Sequence, residues 1–486
     1  MPNWHHSSIW EETQAHHKHE NNQDVEEIYP AKYQPGFGAG EQLAFALKYD
    51  GVNLSILSAI FAVIDVDELV AYIASKPTGK YARRIWFLYE FLTANVLPLA
   101  DLRQSNYIDL LEADRYYVLA KGESVRRQRI RNNLLGTKAF CPIVRRTPLL
   151  QRVEEEDWAQ RCHDLIIEYP PELLRRALAY LYTKETKSSF FIEQEEPSLS
   201  RSERFAALLR EAEKEDFCHK EKLLELQNRI VDERFADTDY RTHQNYVGET
   251  VSLGQEKIHY IPPRPEDLAE MMDGLIACHL RMQEGKAHPV IHAAVIAYGF
   301  VFLHPFEDGN GRIHRFLIHN ILTREGFVPQ GIMFPVSAVM LKELAIYDDS
   351  LEAFSSKLLP LIDYALDEEG HMHVRSNTAI WYRTMDMTPQ SEALYHFIRE
   401  TIEKELPDEL AFLSGYDDAK KALSEIVDMP DRLIDLFIRF VLQNHGRLSA
   451  KKQERYFKAL TDDEVAKMQE GVVRYLGASA QGAKLR

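Results

Sequence analysis

Residues 304–315, HPFEDGNGRIHR, bring histidine, carboxylate, glycine and arginine together at spacings that suit phosphate chemistry. Gly309 and Gly311 flank Asn310, so successive backbone N–H groups can face one concavity, and a helix opening near Arg312 adds its positive end; such cradles bind anions. Arg312 and Arg315 stand three apart and share a helix face, where two guanidinium forks can clamp two phosphate groups. Asp308, beside Glu307, would be repelled by those phosphates unless Mg²⁺ bridged them, which makes the implied ligand a Mg-nucleotide. His304, with an ordinary pKa of about 6.5, precedes the loop and can take a proton from a hydroxyl as phosphorus is attacked. Taken singly, these residues also read as a core histidine, a plain turn and surface ion pairs to Glu307. Their coincidence in one segment favours the chemical reading.

Two helices must hold that loop. The apolar run 290–303, VIHAAVIAYGFVFL, reads as a buried helix ending at His304 and Pro305, and the next helix opens near Arg312 and stops at Gly326. At 245–263, NYVGETVSLGQEKIHYIPP, the period changes to two, Gly254 supplies a turn and Pro262 with Pro263 ends the second arm, which predicts one hairpin. With everything around it helical, the hairpin keeps an unpaired edge able to accept a peptide strand.

The rest of the chain sets bounds. It has 486 residues, 45% of them hydrophobic, which suffices for several domains with real cores. Lys plus Arg number 58 against 75 Asp plus Glu, a net charge of -17, so nucleic acid is disfavoured as a partner; the run Arg126, Arg127, Arg129, Arg131 is the one dense basic stretch. Four scattered cysteines show neither a disulfide framework nor metal spacing, and the start lacks a basic, apolar leader; both predict a cytoplasmic protein without membrane partners. The expected organisation is a flexible polar arm over 1–45, a helical domain over 46–170, a catalytic domain over 171–370 and a C-terminal helical domain over 371–486, mainly α throughout.

The segment 304–315 resembles the Fic family signature, His-x-Phe-x-(Asp or Glu)-Gly-Asn-Gly-Arg-x-x-Arg, at every specified position: His304, Phe306, Asp308, Gly309, Asn310, Gly311, Arg312 and Arg315. The resemblance covers roughly 185–365 and implies a Fic-fold helical core with a small hairpin flap, flanked by helical domains. It also implies a protein adenylyltransferase that moves AMP from ATP to a Ser, Thr or Tyr hydroxyl of a protein target, the chain itself included. By that resemblance His304 is the general base, Phe306 anchors the loop and Asp308 binds Mg²⁺. Gly309, Asn310 and Gly311 hold the α-phosphate, Arg312 the β- and γ-phosphates, and Arg315 the γ-phosphate. Tyr347 falls near the adenine, and Val251, Leu253, Ile258 and Tyr260 belong to a target-docking flap. A homodimer accords with family habit.

Fic enzymes are commonly held off by a helix carrying Ser or Thr, three residues, Glu, then Gly or Asn. Here KSSFFIEQ places Ser189 and Glu193 in that frame, near 186–195, with Gln194 where the family has Gly or Asn. A carboxylate on Arg315 would neutralise the γ-phosphate clamp, and in some members this glutamate also supports AMP removal. A Doc-like kinase, transfer of another nucleotide, and an ATP-sensing regulatory or DNA-binding protein using the Arg126–Arg131 run stay open as alternatives.

Overall fold

In the computed structural model, which describes residues 3–10, 15–21, 24–252, 255–329 and 332–477, the two predicted helices are present. Label as α1 the helix Pro171–Ile192, α2 Leu199–Glu211, α3 Pro265–Glu284, α4 Pro289–Leu303 and α5 Asn310–Arg324. α4 and α5 pack against each other, and thirteen of the fifteen residues of α4 are buried, which is why its sequence is apolar all round rather than striped. His292 inside that run is satisfied by a buried polar chain: its Nδ1 meets Glu325 Oε1 at 2.5 Å, its Nε2 meets His279 Nδ1 at 3.0 Å, and His279 Nε2 meets Asp216 Oδ2 at 3.0 Å. The chain therefore joins α3 to α4 and to the residue beyond α5. Gly326, with φ of 73°, closes α5 as expected.

The fold is mainly α, but the described residues form four small sheets where one hairpin was expected. Within 1–45, read from the sequence as an irregular arm, the described residues instead include a three-stranded sheet. Its strands are β1 (His5–Trp10), β2 (His17–Asn21) and β3 (Asp24–Pro30), with β3 central, parallel to β1 and antiparallel to β2. A second sheet joins β4 (Ile108–Asp109), β5 (Glu123–Val125) and β6 (Ile130–Asn132). The predicted hairpin is β7 (Val247–Ser252) with β8 (Gln255–Tyr260), a two-stranded antiparallel sheet with two irregularities of register. A last pair joins β9 (Tyr364–Leu366) to β10 (Met372–Val374).

The chain divides into two units whose limits differ from the expected boundaries at 46, 171 and 371. One comprises residues 1–156, 189–327 and 343–396, and so takes in the last turn of α1, the helices α2 to α5 and all four sheets. Part of its core lies around Trp86, Ile85, Leu88, Leu69 and Leu134. Here Arg127 pairs with Glu90 and Asp101, Arg131 with Asp109, and Arg129 donates to the carbonyls of Leu102 and Arg103. Three of the four arginines in the basic run are thus spent internally. The other unit, residues 157–188, 328–342 and 397–486, is helical around Phe437, Ile438, Val441, Met468 and Val472. Its half-buried Lys184 pairs with Glu405 and Glu409, and Thr461 with Glu464 forms the predicted capping box. No helix among the described residues is long and apolar enough to cross a membrane.

Candidate active site

The loop between α4 and α5 owes its shape to a few backbone decisions. α4 ends at His304, whose φ of 49° is left-handed, and Pro305 cannot continue a helix. Gly309, at φ of 92°, starts α5 in a conformation that other residues reach only with strain. Asn310 closes the turn from inside: its Oδ1 accepts from Phe306 N at 3.1 Å and its Nδ2 donates to Phe306 O at 2.7 Å. That side chain, expected on the α-phosphate, is committed to the loop itself, while Phe306 is fully buried beneath it.

His304 is half-buried, and its Nδ1 donates to the Val301 carbonyl at 3.2 Å. The proton is thereby held on Nδ1, and Nε2 carries the lone pair. Burial pushes the imidazole down to about 4, so it is neutral at pH 7 and able to accept a proton.

A residue that the sequence reading missed fixes this histidine in place. Buried Arg241 donates from Nε to His304 O at 2.9 Å, from its backbone N to Pro305 O at 2.8 Å, from Nη1 to His243 O at 2.9 Å, and from Nη2 to Pro263 O. Its partners are all carbonyls, and burial lowers its pKa to about 10. It ties the end of α4 to the foot of the hairpin, a role that an arginine in a polar stretch does not announce. Arg241→Ala leaves several buried carbonyls without a donor, at about 1–3 kcal/mol each. The expected result is a marked fall in the denaturation midpoint together with loss of transfer activity, and urea unfolding followed by circular dichroism checks the first.

Both signature arginines are almost wholly buried and already paired. Arg312 reaches Asp308 Oδ1 at 2.5 Å and Glu195 Oε2 at 3.4 Å, and lies 5.2 Å from the centre of the Phe190 ring. Arg315 donates from Nε to Ser189 Oγ at 2.9 Å and from Nη2 to both Ser189 O and Glu193 Oε1 at 2.7 Å. Glu193 also covers the glycine cradle, since a Cβ on Gly311 would come within 2.1 Å of its Oε1. A carboxylate thus occupies the place where an anion is expected.

The end of α1 delivers that carboxylate. Gln194 N donates to Phe191 O at 3.0 Å and Glu195 N to Phe190 O at 3.1 Å, the two bonds of a Schellman motif, with Gln194 at φ of 57° as its left-handed residue. The turn directs Glu193 to Arg315 and Glu195 to Arg312. Glu195 was not singled out in the sequence, because no helical spacing relates it to the signature.

Two expected contributors are buried with their hydroxyls engaged inside the protein. Tyr347 is buried with its hydroxyl 3.4 Å from Arg315 Nη1, so it backs the arginine rather than lining an adenine wall. Tyr260 is buried with its hydroxyl on the Phe302 carbonyl and anchors the hairpin instead of meeting a target. Val251 is exposed and Ile258 half-buried on that hairpin, and Leu253 lies outside the described residues. Asp308 spends Oδ1 on Arg312 and on the Gly309 N–H at 2.6 Å; the side chain is partly exposed and Oδ2 accepts no hydrogen bond among the described residues. One free carboxylate oxygen beside a phosphate cradle fits Mg²⁺, which takes one or two carboxylates and fills its shell with phosphate and water.

A buried guanidinium pair under a glycine turn, a neutral histidine at its rim and a glutamate paired with the second arginine make up the candidate site. The chain carries a Fic domain: residues 217–322 match the Fic/DOC family. The relatives include the protein adenylyltransferase Fic of Nematostella vectensis, 38% identical over 95 residues, and that of Aedes aegypti, 33% identical over 118 residues. These alignments cover 20% and 24% of this chain, which spans about a fifth of the length of the curated relatives it matches. Among solved structures, a Fic domain containing signaling protein from Bacteroides thetaiotaomicron aligns at 18% identity and a TM-score of 0.39, over 54% of this chain and 97% of that one.

Proposed function

We propose that this chain is a protein adenylyltransferase that transfers AMP from ATP to a Ser, Thr or Tyr hydroxyl of a protein, itself included, and that Glu193 holds it off. The observation that carries the reading is the neutral His304, its Nε2 free, at the rim of a glycine and arginine cradle already holding a carboxylate. With Glu193 withdrawn, the amides at the start of α5 and the Arg312 and Arg315 guanidiniums receive the triphosphate. The target hydroxyl attacks the α-phosphorus while His304 Nε2 takes its proton. The bond from that phosphorus to the bridging oxygen breaks, and pyrophosphate leaves with the electron pair. Mg²⁺, held by Asp308, would neutralise charge on the phosphates. The hairpin offers its open edge to the target's backbone. All four cysteines are buried and free, which supports the reducing, cytoplasmic setting proposed for the enzyme.

The test uses ATP labelled at the α- or the γ-phosphate. Protein-bound α-label alone is the expected result; bound γ-label alone makes the chain a kinase.

The pH profile follows from the histidine. With its pKa lowered to about 4, the base stays deprotonated from pH 8 to well below 6, so transfer by the released enzyme is expected to be flat there and to fall as pH approaches 4. A stopped-time α-label assay across buffers measures it. Between the unfolded value of about 6.5 and 4 the unfolded chain binds the extra proton, so His304 also makes folding less favourable as pH drops through that window.

A further inference from the structure

The clamp has a third guanidinium. Arg201, on α2, donates from Nη2 to Glu195 Oε2 at 3.0 Å, and the same oxygen lies 3.4 Å from Arg312 Nη1. Arg201 and Arg312 both rest on Phe190, with their guanidinium carbons 5.0 and 5.2 Å from its ring centre. One carboxylate oxygen therefore bridges two cations held against a single aromatic ring. Two like charges so close repel unless an anion lies between them, and the buried Nε groups of Arg201 and Arg312 have no hydrogen-bond partner among the described residues. The site is thus short of acceptors even in this closed arrangement.

We propose that Arg201 is a phosphate-binding residue of the nucleotide site, and that Glu195 is a second latch occupying the position of a terminal phosphate oxygen. The inference rests on the reading of the site as an ATP site and extends it. In the closed arrangement Glu193 covers Gly311 and Arg315 while Glu195 covers Arg312 and Arg201, so the two carboxylates on either side of Gln194 stand in for two phosphates of the ligand. Displacing one leaves the other in place. Opening the site fully requires the whole turn after α1 to move, and the incoming triphosphate then takes both positions, with its terminal phosphate bridging Arg312 and Arg201.

This arrangement separates ATP from AMP. Arg201 adjoins Arg312, to which the resemblance assigns the β- and γ-phosphates, so it should matter for ATP and not for AMP, which lacks both. Arginine is also the residue that stacks on a ring while donating two parallel bonds, which lysine cannot reproduce.

The experiment is calorimetric titration of the full-length chain with ATP and with AMP, both with Mg²⁺, at a temperature where circular dichroism shows each variant folded. Glu193→Gly with Glu195→Gln should bind ATP about tenfold more tightly than Glu193→Gly alone. Adding Arg201→Ala or Arg201→Lys to the doubly released chain should cost about tenfold in ATP affinity and leave AMP affinity unchanged. The proposal is overturned if Glu195→Gln does nothing in the released background, or if the Arg201 variants lose AMP as much as ATP. If neither nucleotide binds any released variant, the ATP-site reading fails and this inference with it. ATP binding that is indifferent to residues 195 and 201 defeats only the inference.

Discussion

His304→Ala is expected to reduce AMP transfer by roughly 10²- to 10⁴-fold, the contribution usual for a positioned general base. Its imidazole leaves Nε2 as the basic nitrogen: Nδ1 is engaged with Val301 O, and Arg241 holds the residue through its carbonyl rather than its ring. Alanine keeps the backbone link to Arg241, so loop geometry and nucleotide binding should survive. The measurement is a pair: α-label incorporation and ATP affinity in the same variant. Loss of incorporation with affinity kept is the expected pattern, and a variant that still transfers AMP at the parental rate rules His304 out as the base.

The second large effect has the opposite sign. Glu193→Gly should raise incorporation by roughly 10- to 100-fold, because the charge-assisted bond to buried Arg315 contributes about 1.5–3 kcal/mol to the closed state, and each 1.4 kcal/mol is a factor of ten. The change also uncovers Gly311, whose α-carbon the carboxylate now covers. Ser189→Ala should release far less, since the Ser189 carbonyl keeps its own bond to Arg315 Nη2 whatever the side chain. The ratio of the two variants in one labelling assay tests this. Equal rates for Glu193→Gly and the parent mean that the pair with Arg315 does not limit turnover.

What the sequence disclosed was what short-range chemistry determines. The helix, loop and helix around 304–315 announce themselves by an apolar run, two glycines and two arginines in register, whereas Ser189 and Glu193 were legible only through the family frame they resemble. Arg241 and Glu195 were invisible because their partners lie 63 and 117 residues away, and nothing local marks a side chain for a distant carbonyl or guanidinium. Asn310 has a further role that its type does not announce: both polar atoms of its side chain bond the loop backbone four residues earlier. The N-terminal sheet escaped because β2, His-Lys-His-Glu-Asn, has no apolar alternation to betray a strand, and its pairing with β3 is made by the backbone.

Gln194 gives the switch a set point. In the frame shared by related enzymes the residue after the glutamate is Gly or Asn, the two types that enter the left-handed region most readily, and the turn here demands that region at φ of 57°. Glutamine enters it at a cost of about 1 kcal/mol. On the function proposed above, the closed arrangement is therefore shallower than its contacts alone would make it, which favours a small open population. On that same function, such leakage amounts to a low resting rate of transfer. Gln194→Gly should remove the penalty and lower unstimulated α-label incorporation by about fivefold, making a quieter enzyme from a residue that touches neither arginine.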